Sequence, residues 1–127
     1  MSGRIIAGMG CRRDCPAEAI ISLLRRAALE AGRSATALAV PSFKEDEPGL
    51  REAARQLGLR LILVEPLSLA AAQERCVTRS AHAARTTGIA SVAEGAALAA
   101  AGAGGRLILP RIAGGGATCA LAETALP

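Results

Sequence analysis

Tryptophan and tyrosine are missing from this sequence of 127 residues, and Phe43 is its one aromatic side chain. Without rings there is no platform on which single-stranded bases can stack, so nucleic acid is not the expected partner. The interior must be built from Leu, Ile, Val and a great deal of Ala, because the residues that usually bury the largest areas are not there. Such a core is shallow and favours close helix approach. Histidine occurs once, at His82, and lysine once, at Lys44; every other basic residue is arginine. With one histidine and no tyrosine, the chain is short of ordinary acid–base groups.

Long apolar runs are absent as well. Nothing approaches the roughly 20 residues needed to cross a bilayer, and the Ala-rich run 92–101 is broken by Glu94, so no membrane partner is expected. Cys11, Cys15, Cys76 and Cys119 form no C-x-x-C pair, and with a single histidine their spacing matches no zinc pattern. Neither a metal nor a cofactor is expected. No signal-peptide pattern precedes the first apolar segment, and reduced cysteines in the cytoplasm are the simpler reading.

What is present is a chain 51% hydrophobic with a formal charge of +4 and a pI near 9.4. That balance allows an anionic partner without requiring one; GC-rich coding explains the arginine usage at least as well as binding does. The length fits one domain, residues 1–127, with no linker and no internal repeat. Residues 4–9 read as a buried strand with a tight exit at Gly8 and Gly10. A helix begins at Pro16, carries Ile20, Leu23, Leu24 and Ala27 on one face, and stops at Gly32. Residues 35–40 form a second strand, 48–57 a helix closed by Gly58, and 59–65 the clearest buried strand. Ser68 is positioned to cap a short helix that fades near Arg79. Ser91 and Glu94 fit a capping box at the start of a helix reaching about Ala101. "GRLILP" and "GATCALAE" then read as antiparallel strands joined across residues 111–116. Together these elements predict an α/β fold: one compact domain, a mostly parallel sheet flanked by helices, and a C-terminal antiparallel hairpin.

Three strand-to-helix corners attract attention. In "GMGCRRDCP" Gly8 and Gly10 give backbone room, and Arg12 and Arg13 stand where a helix N-terminus already favours negative charge, so the corner reads as an anion site or as a glycine turn with two solvated arginines. The third glycine of a dinucleotide loop is replaced by Arg13, and no P-loop ending is present. Cys11 would have a lowered thiol pKa at such a corner, yet no base is at hand. Lys44 follows the second strand and adds a third cation to the same edge, or pairs with Glu45, Asp46 or Glu47. At the third corner Thr87 and Gly88 precede Ser91 and Glu94; the capping box accounts for the last two without a ligand, and Glu94 would serve as a base only with its carboxylate turned away from the cap.

The order "GxGCRR" after the first strand, "K-x-x-E-P-G-L" after the second, "TGIASVAEGAAL" before the last helix and "LILPR…ATCALAE" at the end resembles the family formed by CobE and the C-terminal domain of CbiG. The likeness covers nearly the whole chain, which looks most like the stand-alone form from the oxygen-dependent route to cobalamin. The resemblance implies a compact α/β domain that binds or acts on corrin-ring intermediates, with other enzymes of cobalamin biosynthesis as further partners. CbiG opens a lactone ring and releases acetaldehyde, but that activity belongs to a larger protein. Motif positions carried over are Gly8, Gly10, Cys11, Arg12, Arg13, Lys44, Thr87, Gly88, Ser91 and Glu94. A corrin macrocycle bears acetate and propionate arms, so spaced guanidinium and amide donors around an apolar floor suit it as ligand. The expected role is an auxiliary or carrier protein for a precorrin or corrinoid; the alternative is a small pathway enzyme using Cys11 or Glu94 in ring rearrangement or lactone opening.

Overall fold

The computed structural model describes residues 3–78 and 91–125. Among these, five strands form one sheet in the order β3-β2-β1-β5-β4, where β1 is Ile5–Cys11, β2 Ala37–Pro41, β3 Arg60–Val64, β4 Arg106–Gly114 and β5 Ala117–Glu123. The first three strands run parallel, while β5 lies antiparallel to both β1 and β4. The sheet is therefore mixed, and the domain is the α/β fold with a C-terminal antiparallel pair that the element pattern predicts.

Alternation along the strands sends side chains to two cores. Ile5, Ala7, Met9, Leu38, Val40 and Leu121 meet α1 (Ala17–Ala31) and α2 (Pro48–Leu57) on one face. Ile6, Ala37, Ala39, Val64 and Ala122 meet α3 (Pro66–Ala71) and α4 (Val92–Ala101) on the other. Helices α1 and α2 end where glycine can adopt the left-handed conformation, at Gly32 (φ 68°) and Gly58 (φ 66°). No helix among the described residues is long and apolar enough to cross a membrane.

A very close approach of helix to strand explains the alanine content. A Cβ on Gly8 would lie 2.0 Å from the carbonyl oxygen of Ala93 and 2.4 Å from the amide nitrogen of Ala97. The backbone of α4 thus rests directly on β1, at a distance only glycine permits. On its far side, a Cβ on Gly95 would meet the Gln73 amide at 2.5 Å and Leu69 at 2.9 Å. Squeezed between strand and α3, α4 is buried over most of its surface, and the positions that face these neighbours most closely are Ala and Gly.

Three local expectations are corrected. β3 is not a fully buried strand: it forms an edge of the sheet, and Arg60 and Leu63 are exposed. Ser68 caps nothing, because α3 starts earlier, at Pro66 with Glu65 in the cap position, and a 3-10 turn Ala72–Arg75 ends the segment. The C-terminal turn is shorter than residues 111–116. β4 continues to Gly114, leaving Gly115 (φ 62°) and Gly116 (φ 88°) as the two left-handed residues that a tight two-residue hairpin requires. The strand survives Pro110 because β4 is an edge and its register slips there, so no ladder donor is missed.

Gly8→Ala should lower the unfolding free energy by about 1–3 kcal/mol or more, since the added methyl meets helix backbone that cannot step aside. Gly10→Ala should cost clearly less, its nearest neighbours being side-chain atoms at 3.1 Å. Urea unfolding of both variants checks the order.

Candidate functional site at the carboxyl edge of the parallel strands

The chain leaves β1 at Cys11 and turns sharply. The Arg12 amide donates to the Gly116 carbonyl at 2.9 Å, and the Cys15 amide returns to the Arg12 carbonyl at 3.2 Å. Between them Asp14 sits at φ 61°, the one non-glycine residue with positive φ among those described. Its amide donates to Glu47 Oε2 at 3.0 Å, while Glu47 Oε1 faces Lys44 Nζ at 3.6 Å. Gly49, in the first turn of α2, lies so close to the corner that a Cβ there would be 2.0 Å from the Cys15 carbonyl. The first and second corners are thereby locked together, with Glu47 as the joint.

The third corner adjoins them. Val92, at the start of α4, would be 3.1 Å from a Cβ on Gly10. Ser91 occupies the N-cap position, but it does not form the expected capping box. Its amide donates to Gln73 Oε1 at 2.9 Å, and Gln73 Nε2 donates to the carbonyls of Ser91 at 2.9 Å and Leu69 at 3.0 Å. Ser91 Oγ is buried and has no hydrogen-bond partner among the described residues.

Glu94, only 1% exposed, has turned its carboxylate away from the cap. Oε1 accepts the amides of Val77 and Thr78, both at 2.8 Å, and Oε2 accepts the Arg111 amide at 2.9 Å. A buried carboxylate needs several donors to offset its lost hydration, and three amides from other segments satisfy it better than one at its own helix start. Burial pushes its pKa up, but the amides of Arg111, Thr78 and Val77, with the Thr78 side chain, outweigh that and hold it below the ordinary glutamate value. A carboxylate so engaged is an anchor and a poor proton acceptor.

The thiols are equally quiet. Burial raises Cys11 to about 11, against the opposing pull of Lys44, and raises Cys119 to about 12. Burial also raises Cys15, with Arg12 opposing, and its Sγ contacts the Gly115 carbonyl at 3.4 Å. Cys11 therefore lacks the lowered pKa that its place in the sequence predicts, because desolvation exceeds the effect of nearby positive charge. Among the described residues no three of His, Cys, Asp and Glu are grouped to hold a metal ion.

Of the ten positions singled out from the sequence, Gly10, Cys11, Arg12, Arg13, Lys44, Ser91 and Glu94 gather around this edge. Gly8 lies beneath α4, where packing accounts for it. Thr87 and Gly88, like His82, fall outside the described residues. Arg12 and Arg13 are exposed, and neither is paired with an acid among the described residues. The Arg12 guanidinium lies over the hairpin turn, 2.7 Å from where a Cβ on Gly116 would stand. Lys44 is less free, because it pairs with Glu47, one of the acids the sequence offers it. Sequence reasoning missed Gln73, Asp14 and Arg111. Only the charge run 44–47 signalled Glu47, and nothing local signals Gln73.

Glu94→Gln keeps the shape but removes the charge that strengthens three hydrogen bonds, and should destabilise the fold by about 1–3 kcal/mol at neutral pH. Because the folded pKa is depressed, this contribution is present above the ordinary value of 4.5 and is lost as pH falls through the lower folded value. Denaturant unfolding at neutral and acid pH should show the gap between wild type and variant closing on acidification.

The fold and sequence have clear relatives. Residues 5–122 match the family model described as cobalamin synthesis G C-terminus. Protein CobE of Sinorhizobium sp is 34% identical over 124 residues, 95% of this chain and 80% of that protein. A crystal structure of CobE, described as a protein from the cobalamin (vitamin B12) biosynthetic pathway, superposes with a TM-score of 0.91 at 41% identity, covering 98% of this chain and 93% of the other. The cobalamin biosynthesis protein chiG from Agrobacterium tumefaciens str. C58 gives 0.77 at 38% identity over 96% of this chain and 99% of its own. The chain belongs to the cobalamin synthesis G C-terminus family and is a protein of cobalamin biosynthesis.

Proposed function

We propose that this protein binds a polycarboxylate corrinoid or precorrin intermediate at the carboxyl edge of its parallel strands and serves as a carrier or auxiliary between enzymes of the pathway. The observation that carries the reading is the pair Arg12 and Arg13, exposed and without an acidic partner among the described residues, at the point where three corners meet. Guanidinium forks suit carboxylate arms. The groove between the starts of α1 and α2 is lined by Asp14 and Glu52 and repels the same arms, so the ligand lies toward Arg12, Arg13 and the hairpin turn.

Catalysis has less to stand on. The thiol and the carboxylate that an enzymatic reading would use are Cys11, with a pKa of about 11, and Glu94, occupied by amides. Lactone opening or ring rearrangement would need another base.

Hydrogenobyrinic acid added to the purified protein should shift its visible absorption bands saturably and be recovered with unchanged mass. Arg12→Ala combined with Arg13→Ala should weaken binding about ten- to a hundredfold, by loss of charge-assisted contacts, and rising salt should weaken the wild-type complex. Unaltered affinity in the double variant would sink the assignment of these arginines, and a new product mass would replace the carrier with an enzyme.

A further inference from the structure

The opposite edge of the sheet, where the parallel strands begin, holds a cavity of about 310 Å3. Four residues at strand ends form its rim: Arg4 precedes β1, Thr36 precedes β2, Arg60 opens β3 and Thr124 follows β5. Its floor is apolar, made by Ile6, Ala37 and Ile62 from the sheet and by Ala100 from the last turn of α4. The space exists because α4 ends in alanines and α3 is only six residues long, packed near the other end of β3, so the amino ends of β2 and β3 keep no full cover on that face.

Three of the four rim side chains offer donors; the fourth, Thr36, gives its hydroxyl proton to the Ile5 carbonyl at 3.3 Å. Neither guanidinium is paired with an acid among the described residues. Thr124 Oγ1 accepts the Arg4 amide at 2.9 Å, which leaves its own proton without an acceptor among the described residues. No Asp or Glu lines the cavity. Glu123, next in sequence to Thr124, projects to the other face and is held there by Arg33 at 2.9 Å and Arg106 at 3.0 Å. The C-terminal end of α4 would oppose an anion, but the Arg75 guanidinium stands just past it, donating to the carbonyls of the cap residue Gly102 at 3.0 Å and of Gly105 at 2.7 Å, and its charge offsets that end of the helix.

Two unpaired cations and a free hydroxyl proton above a hydrocarbon floor match an anion with an apolar body. We propose that this cavity is a second binding site, separate from the corrinoid edge, for a small amphipathic carboxylate whose head meets Arg4, Arg60 and Thr124 while its chain covers Ile6, Ala37 and Ile62. The volume lies at the lower end of the range of small-molecule sites. The site stands on different residues from those of the corrinoid reading and survives or fails independently of it.

Octanoate is a suitable probe. Titrated into isotopically labelled protein, it should shift the methyl resonances of Ile6, Ala37, Ile62 and Ala100 saturably. Octanamide, which keeps the body and loses the charge, should bind about tenfold more weakly or worse, as should octanoate with the variant carrying Arg4→Ala and Arg60→Ala. Both arginines are exposed, so that variant should fold as wild type does. Shifts centred on Arg12, Arg13 and Ser91, equal binding of the amide, full affinity in the double variant, or displacement of octanoate by hydrogenobyrinic acid would each overturn the proposal.

Discussion

One buried carboxylate governs how this small domain closes. Glu94 gathers the amides of Val77 and Thr78 from the segment after α3, and of Arg111 from the edge strand β4, onto the first turn of α4. Each segment departs from regular structure at that point: the first is a loop after a 3-10 turn, and β4 slips register on either side of Leu109. Their unpaired amides would cost about as much as lost hydrogen bonds if buried bare. A single anion satisfies all three and fixes the start of α4 against the sheet.

That placement depends on an equally strict steric condition underneath. Because α4 lies backbone-to-backbone on β1 at Gly8, and touches Gln73 and Leu69 at Gly95, its rotation is defined within narrow limits. Only then does Glu94 point outward at the right height, and only then does Gln73 reach both the amide and the carbonyl of Ser91. Small residues, a steric deficit in a core without aromatic rings, become the means by which charges at the rim are positioned. The same smallness leaves space at the opposite end of the sheet, where alanines of α4 and a truncated α3 do not fill the layer.

Much of the fold was legible in the sequence because local signals agreed with the tertiary outcome. Pro48 and Gly58 bound α2 at the positions they mark, Gly32 ends α1 in the left-handed conformation, and the C-terminal apolar segments pair antiparallel. Errors arose where a long-range partner outbid a local one. Ser91 and Glu94 spell a capping box, yet Gln73 and three distant amides claim them. The apolar run 59–65 looks like a central strand, but strand order is decided by topology and places it at an edge. For the rim, the sequence identified the cations and offered Glu47 among the partners of Lys44; it did not identify Asp14 and Gln73, or the bond from Glu47 to the first corner, whose importance lies in contacts between segments. Cys11 was misjudged for a related reason, since burial cannot be read from neighbouring arginines.

The hairpin at the far end of the sequence has a bearing on the charge at the near end. Gly115 and Gly116 are both left-handed, and the flat peptide surface at Gly116 is what the Arg12 guanidinium rests on. A methyl group there would displace the cation sideways while leaving every arginine in the protein intact. The aim of that positive charge is therefore set not by its neighbours in sequence but by a turn between the last two strands, at the other end of the chain.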